Sequence, residues 1–541
     1  MRRGLESLAL ALALPAAGAV VFEDVTRAAG LDFRHTIGDA HLHSLVEASG
    51  VGCAFLDYDN DGWLDIYLVN ACPLPGLSQE SETGGASAEP PTDRLYHNRG
   101  NGTFEDVTAQ AGILAGGYGI GVTVGDYDND GFPDLHITHY GPNRLYHNQG
   151  DGTFREIAES AGVAGSEFST GACFADFDGD GWLDLFVGSY VDYSEEYNRR
   201  HGKVDAFPGP LAYPATVSRL YRNRGDGTFE NAGGAAGITR PGRAMGVGAF
   251  DYDEDGRPDV FVSNDAMVNH LYHNEGGGRF VEGALLAGVG LGDVGQSTGA
   301  MAVETGDLNA DGRLDLFVPD FTRSCLYLNL GGGFFDCQTD RAGVAQVVGG
   351  HIQWGAALAD FDLDGDLDMY VSRGDANSLA GYPDCLLINN GAGHFTDGSK
   401  TGGSWFEEQR SGRGVVRGDF DNDGRIDLLI TNLNDSPALL RNVTPRDGHH
   451  WLTLRLSDPS GNRDALGARV FWEVDGRQVF REHVSGGSYC SSHDPRIHLG
   501  LGEARGLARL AVRWPGGRVT ELTDVAADRF LSLAAPCTAR K

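Results

Sequence analysis

Basic charge is scarce in this sequence. Lys and Arg total 42 against 76 Asp and Glu, a formal net charge of −34 over 541 residues. That balance excludes nucleic acid and anionic membrane surfaces as partners, because both require a basic face. Long apolar runs are missing as well. After the N-terminal stretch nothing approaches the ~18 uninterrupted apolar residues of a membrane helix, so no membrane span is expected. Catalytic signatures are also absent: there is no Gly-x-Ser-x-Gly elbow, no His-Glu-x-x-His and no Walker A phosphate loop. This weighs against an enzyme without excluding one, since a site assembled from scattered loops leaves no such signature.

Cysteine is sparse, at eight residues. The first 19 residues read as a secretory signal, with Arg2 and Arg3 at the charged start, an apolar run from Leu8 to Leu14 and a small-residue cleavage site at Ala17-Gly18-Ala19. Paired arginines also occur in twin-arginine export, but the flanking residues match poorly. The mature chain is expected to begin near Val20 and to be secreted, periplasmic or extracellular, where disulfides form. Cys53 and Cys72 flank the first acidic loop, and Cys325 and Cys337 flank the Gly331-Gly332-Gly333 turn. Both are candidate cross-strand bridges. Cys173, Cys385, Cys490 and Cys537 have no assignable partner and read as small buried hydrophobes.

Glycine, by contrast, is abundant, at 80 residues, roughly twice the average usage of ~7%. It belongs to an internal repeat. Each unit runs from an apolar strand into an Asp-rich loop, a second apolar strand, a Leu-Tyr-His-Asn-like strand, a Gly turn and a last strand. The loops start at Asp57, Asp126, Asp176, Asp251, Asp307, Asp360 and Asp419, between 50 and 75 residues apart, which fits one four-stranded propeller blade per unit. The seventh unit, after Leu439-Leu440-Arg441-Asn442, lacks its last strand. Phe22-Glu23-Asp24-Val25-Thr26 repeats Phe104-Glu105-Asp106-Val107-Thr108, so the N-terminal strand is expected to complete the seventh blade and close the ring. The expected fold is all-β: a seven-bladed β-propeller over 20–445, then a small, separate β-sandwich-like domain over 446–541. Thr444-Pro445-Arg446-Asp447-Gly448 reads as the linker.

Each loop has the form Asp-x-Asp-x-Asp-Gly-x-x-Asp. The candidate metal ligands are Asp57, Asp59, Asp61 and Asp65; Asp126, Asp128, Asp130 and Asp134; Asp176, Asp178, Asp180 and Asp184; Asp251, Asp253, Asp255 and Asp259; Asp307, Asn309, Asp311 and Asp315; Asp360, Asp362, Asp364 and Asp368; Asp419, Asp421, Asp423 and Asp427. Hard oxygens at positions 1, 3, 5 and 9, with a main-chain carbonyl at 7, suit Ca²⁺, of which up to seven are expected. Mg²⁺ is the weaker candidate because it keeps more of its waters. No loop itself supplies Cys or His, which disfavours zinc and copper. An EF-hand requires Glu at position 12, but that position holds Leu68, Ile137, Val187, Val262, Val318, Val371 and Ile430. A hairpin turn requires only one Asp-Gly pair. Carboxylates ~4 Å apart repel by about 1 kcal/mol in bulk water and ~4 at an effective dielectric of 20, so four at fixed offsets call for a cation.

These repeats resemble FG-GAP/VCBS units, as in integrin α-subunit propellers. Gly461-Asn462-Arg463-Asp464-Ala465-Leu466-Gly467-Ala468-Arg469, then Gly486-Gly487-Ser488-Tyr489, Arg496-Ile497-His498-Leu499-Gly500-Leu501-Gly502 and Val512-Arg513-Trp514-Pro515-Gly516-Gly517, resemble an ASPIC/UnbV domain. Together the two resemble the cartilage acidic protein family and its bacterial relatives. The resemblance implies Ca²⁺ binding, extracellular placement and no established catalytic residues.

Strand parity puts the Asp loops on one face and the next connections on the other. Two of those connections carry insertions. The one from Pro73 to Thr92 is Ser/Glu/Gly/Pro-rich and is expected to be disordered; the one from Val191 to Val217 is rich in aromatic and charged residues suited to recognition. Shorter loops add His139, Asn264, Asp265, Asp320, Arg373, Asp375, Asn432 and Asn434, with His35, His41, His43 and His351 nearby; the four His are also a candidate second metal site. His136 reads as packed within a strand. The leading reading is a monomeric, noncatalytic binding or adhesion scaffold for an extracellular protein or glycan. The alternative is an enzyme, polysaccharide-degrading or a biosynthetic accessory, and a tight cluster of His35, His139, Tyr190, Asp265, Asp320 and Arg373 would favour it.

Overall fold

The computed structural model describes residues 19–74, 91–203, 206–474 and 476–536. The export signal apart from Ala19, most of the insertion at 73–92, and Cys537 lie outside the described residues.

The repeat folds into seven antiparallel sheets. In the first, Cys53–Leu56, Asp65–Leu68, Arg94–Asn98 and Phe104–Asp106 pair in chain order. The same order recurs from the strands Tyr118–Gly125, Ser169–Ala175, Ala244–Phe250, Glu304–Gly306 and Gln353–Ala359. The seventh sheet draws only Gly412–Gly418, Asp427–Asn432 and Ala438–Asn442 from its own stretch; its fourth strand is Phe22–Asp24. Phe22 lies opposite Asn442 as Phe104 lies opposite Asn98. Burial explains the residue pattern along each unit. The second strand, such as Asp65–Leu68, is buried throughout, whereas the outermost strand Phe104–Asp106 buries Phe104 and exposes Glu105 and Asp106.

One residue stitches each sheet to another. Asn98 donates from Nδ2 to the carbonyl of Leu64 in its own sheet and to that of Phe420 in the seventh, both at 2.9 Å. Asn148 reaches Tyr58, Asn223 reaches Tyr127, and Asn274 reaches Phe177. Asn329 reaches Tyr252, Asn389 reaches Leu308 and Asn442 reaches Phe361. Every acceptor is the second residue of an Asp loop, a backbone carbonyl that would otherwise be buried without a partner. Followed from sheet to sheet, the series returns to its start. Close approach also explains part of the glycine excess: a Cβ on Gly355 would lie 2.5 Å from the Arg413 carbonyl, and one on Gly52 2.0 Å from that of Cys490.

The C-terminal residues form two facing sheets. Trp451–Ser457 lies between Ile497–Gly500 and Arg529–Ala534. The other sheet orders Arg477–Glu482, Arg469–Val474, Gly506–Arg513 and Val519–Ala526. Leu454, Trp472, Leu510 and Trp514 fill the space between them.

This sandwich is not separate, contrary to the sequence expectation. Residues 485–494 leave it and touch the first strand of every repeat sheet. Ser485–Gly486 adds a fifth strand to the fourth sheet, with Gly486 opposite Gly248. Val122 of the second sheet donates to the Cys490 carbonyl, Phe55 of the first to Ser492, and Asp494 donates to Arg417 of the seventh. Phe174 of the third donates to Ser485 Oγ at 3.0 Å. His493 Nε2 lies 2.8 Å from Glu304 of the fifth, and the Tyr489 ring meets Trp354 of the sixth at 5.0 Å. Gly and Ser dominate this segment because it threads between backbones.

The cysteine expectation for Cys53 and Cys72 is corrected. Cys53 Sγ points at the Leu429 carbonyl and Ser491 Oγ, each 3.9 Å away, while Cys72 packs in the central cluster with Ile37, Tyr118 and Trp354. The two occupy different cores and are free thiols. Cys325 and Cys337 are thiols that interact with each other directly. Among the described residues no helix is long and apolar enough to cross a membrane.

Candidate metal centres and the opposite face

All seven Asp loops share one geometry. Two residues per loop take left-handed backbone: the Gly at position 6, such as Gly62 at φ 91°, and the residue at position 4, which is Gly179 at φ 78° in the third loop and carries a side chain in the other six, such as Asn60 at φ 60° and Leu363 at φ 66°. Left-handed backbone is unfavourable for a residue with a Cβ, so the loop is held by its own hydrogen bonds. The position 1 carboxylate accepts the Gly N–H, at 3.2 Å for Asp57 and 2.7 Å for Asp126. Position 5 accepts the N–H two residues on, as Asp61 does from Trp63 at 2.8 Å.

Position 9 does more. Asp65 Oδ2 accepts the Tyr58 N–H at 3.1 Å and its Oδ1 accepts that of Asn98 at 2.8 Å. The same double clasp recurs at Asp134, Asp184, Asp259, Asp315, Asp368 and Asp427. One buried carboxylate thus ties the Asp loop to the stitching Asn. Burial pushes Asp65 and Asp134 up to about 7 and Asp184 and Asp315 to about 8, and the neighbouring loop carboxylates push the same way.

The donor set fits a hard cation. Asp57, Asp59 and Asp61 bring oxygens together, as do Asp126, Asp128 and Asp130. Four carboxylate oxygens, those named Oδ1 in Asp57, Asp253, Asp362 and Asp421, are buried without a hydrogen-bond partner. A buried, unpaired charge of this kind is costly unless something positive meets it.

Two sets of residues at these loops were missed from sequence. The loops themselves hold no His, but the adjacent hairpin strand brings one to three of them. His97 Nδ1 lies 3.5 Å from Asp59 and 3.2 Å from Asp65. His147 and His273 sit likewise at the second and fourth loops. Arg222 occupies that place at the third, 2.6 Å from Asp178. The signal was the third residue of the Leu-Tyr-His-Asn strand, whose Cβ points to the loop side of the sheet. The second set belongs to the C-terminal sandwich: Arg455 lies 3.1 Å from Asp57, Arg469 3.3 Å from Asp251 and Arg463 4.0 Å from Asp126. Arg496 donates to the Asp419 carbonyl at 2.6 Å. The sandwich therefore sits on the Asp-loop face.

On the opposite face the expected polar rim is mostly structural. Asn264, Asp320, Asn432 and His139 are buried. Asp320 accepts the N–H groups of Gly299, Thr322 and Arg323, and Arg373 donates to the Val347 and Val348 carbonyls. Three of the four His have separate partners. His35 accepts the Asn434 N–H at 3.0 Å, His43 pairs with Asp39 at 3.0 Å, and His351 stacks on Tyr382 at 4.3 Å. Of the six residues named for a catalytic cluster, Tyr190 and Asp265 do meet, at 2.6 Å. They line a cavity of about 760 Å³, one wall of which comes from Phe207 and Leu211 of the 191–217 insertion.

Comparison with known proteins now adds to this geometry. The FG-GAP-like repeat model matches residues 85–137, 126–187, 211–262 and 251–318. The ASPIC and UnbV model matches residues 458–539. The chain thus carries FG-GAP-like repeats and an ASPIC and UnbV region, and it is similar to cartilage acidic protein 1. The mouse protein of that name is 26% identical over 319 residues, 58% of this chain and 48% of its own. The human one is 26% identical over 305 residues, 55% and 44% respectively. The chain thus spans just under half the length of the curated relatives it matches. Similar solved structures include an Agrocybe aegerita lectin recognising non-reducing terminal N-acetylglucosamine, with 17% identity and a TM-score of 0.37 over 66% of this chain and 89% of that one. Another is YCF48 bound to a D1 peptide, with 11% identity and a TM-score of 0.41 over 80% and 100%.

Proposed function

We propose that this protein is an exported, noncatalytic binding scaffold: a closed seven-bladed β-propeller over 20–445, braced by up to seven Ca²⁺ ions and capped by the ASPIC/UnbV domain at 446–541. The strand Phe22–Asp24 in the seventh sheet and the Asn series that returns to its start support closure. Positions 1, 3, 5 and 9 of each loop would hold the ion, with Asn309 the one neutral ligand. The metal here supplies charge compensation and rigidity. The chain's residues do the rest, position 9 fixing the loop to the stitching Asn and the sandwich arginines covering the remaining charge.

The partner, an extracellular protein or glycan, meets the face opposite the loops. The observation that carries this reading is the cavity there, walled by the 191–217 insertion and reached by none of the metal loops. Tyr190 and Asp265 share a hydrogen bond, but His35, His139 and Arg373 are engaged elsewhere, which favours binding over turnover. Glycan-array and protein-partner screening of the purified monomer, alongside activity screening on polysaccharides, tests it. Binding abolished by substitutions at Phe207 or Leu211 is the expected result. Turnover of a polysaccharide that survives the same substitutions would overturn it.

A further inference from the structure

The cavity on the opposite face is lined by more apolar than polar surface. Leu45, Phe207, Leu211, Met245, Met301 and Phe321 supply apolar wall, and Ser297, Thr298, Thr322 and Asn377 add polar groups to it. Within that wall stands one carboxylate, Asp265, 8% exposed. Its Oδ2 accepts the Tyr190 hydroxyl at 2.6 Å, and no described hydrogen bond ends on Oδ1.

The charges around it are already committed. Asp320 accepts from three backbone N–H groups. Arg243 donates to the Pro210 and Tyr213 carbonyls and to Met267 Sδ. Arg413 lies on the Trp354 ring, 3.8 Å from its centroid, and donates to the Asp375 and Gly412 carbonyls. Arg243 offsets part of the Asp265 charge from a distance, but neither arginine donates a hydrogen bond to Asp265 Oδ1. Burial raises the Asp265 pKa only to about 6, so the group is ionised at neutral pH. An anionic ligand would be repelled by Asp265, and a neutral apolar one would leave a desolvated carboxylate unpaired.

Resting on the reading of this face as the ligand side, we propose that the cavity binds a small organic cation, an amine on an apolar body, with Asp265 as its counter-ion. The charge-assisted hydrogen bond goes to Oδ1, and the body packs among the methionines and aromatic rings. The volume lies within the ~300–1,000 Å³ usual for small-molecule sites.

The test uses the full chain with ¹³C-methyl-labelled methionine, of which the sequence holds five. Phenethylammonium, 2-phenylethanol, 3-phenylpropionate and an oligosaccharide are titrated in turn. Phenethylammonium should shift the Met245 and Met301 methyl signals and bind at least ~10-fold more tightly than the alcohol. Asp265→Asn should reduce it to the affinity of the alcohol. Should Asp265→Asn fail to fold, Asp265→Glu, which keeps the charge, should retain the preference, while Leu211→Ser, at a site 72% exposed, should weaken amine and alcohol alike. Equal affinity for amine and alcohol, or an Asp265→Asn protein that still prefers the amine, overturns the proposal while leaving the ligand face standing. If no probe moves either methyl signal, the ligand face falls with it.

Discussion

The two faces of the repeat sheets are made by the same kind of connection, yet they differ in how far they repeat. On the Asp-loop face seven loops reproduce one hydrogen-bond pattern residue by residue. On the other face one connection carries the 191–217 insertion, another the mostly undescribed 73–92 segment, and the rest vary. Repetition marks a task that is the same at every unit, which is to hold charge and tie neighbouring sheets. Divergence marks a surface free to acquire a ligand. Tying the two together is the 485–494 segment, which enters from the sandwich on the loop face and, at Tyr489, packs against Trp354 in the wall of the opposite cavity.

Metal removal should break this comparison most severely. At ten times its dissociation constant one ion contributes about 1.4 kcal/mol by linkage, so seven sites approach ~10 kcal/mol. EDTA should lower the melting temperature by roughly 10–20 °C, as followed by calorimetry with the residual metal measured. The arginines Arg455, Arg463 and Arg469 should soften the loss at the first, second and fourth loops, because each already places positive charge there. An unchanged melt after verified metal removal would sink the structural role of the ions.

Next in size is a single stitch. Asn442 is fully buried and holds the Phe361 and Ile426 carbonyls at 2.9 and 3.1 Å. Asn442→Ala leaves both buried without a donor and should cost about 2–4 kcal/mol in chemical denaturation. A loss under ~0.5 kcal/mol, the size of an ordinary surface substitution, would show that the ring is held by packing alone.

How much of this was legible in the sequence follows from the same contrast. Periodic features were readable because each is specified locally. The Asp loops, the hairpin strand and the return of Phe22–Asp24 to the seventh sheet all appear in the spacing. The 485–494 segment was not readable, because Gly486-Gly487-Ser488 looks like an ordinary polar loop and its partners are spread over seven sheets. Cys53 and Cys72 misled because symmetric flanking in sequence says nothing about which side of a sheet each thiol faces. His139, Asn264, Asp320 and Arg373 were read as a polar rim. They are instead buried or consumed in bonding nearby backbone, as Asp320 and Arg373 are, which composition cannot distinguish from exposure. His97, His147 and His273 were visible in the repeat, but their reach to Asp59, Asp128 and Asp253 required the strand pairing.

Acidity sharpens the comparison in the opposite sense to metal. In the metal-free protein Asp65, Asp134, Asp184 and Asp315 have folded pKa values of about 7 to 8, well above the ~3.9 of an unfolded Asp. The folded state therefore binds more protons than the unfolded one across this window. The stabilising contribution of protonation is complete below the unfolded pKa and is lost as pH rises through 7 to 8. In EDTA the melting temperature should climb by several degrees as pH falls from about 8.5 to 6. In saturating Ca²⁺ the trend should flatten or reverse, because protons then compete with the ion. Parallel pH profiles with and without the metal would mean that these carboxylates do not hold it.

The smallest effect on stability should come from the opposite face, and that smallness is what makes it informative. Leu211 is 72% exposed on the cavity rim, so Leu211→Ser removes little buried area and should change stability by no more than ~0.5 kcal/mol. Its effect should fall on ligand affinity instead, with the melt in saturating Ca²⁺ left in place. The loop face should behave in reverse. Asp65→Asn keeps an oxygen at the site but swaps one acceptor for an amide donor facing the Tyr58 or Asn98 N–H, so it should lower the melt and leave affinity at the distant cavity nearly unchanged. Coupling of the two readouts in both variants would show that the Tyr489 segment transmits strain across the ring. Independent readouts assign stability to one face and recognition to the other, and locate the difference in which connections the repeat was free to alter.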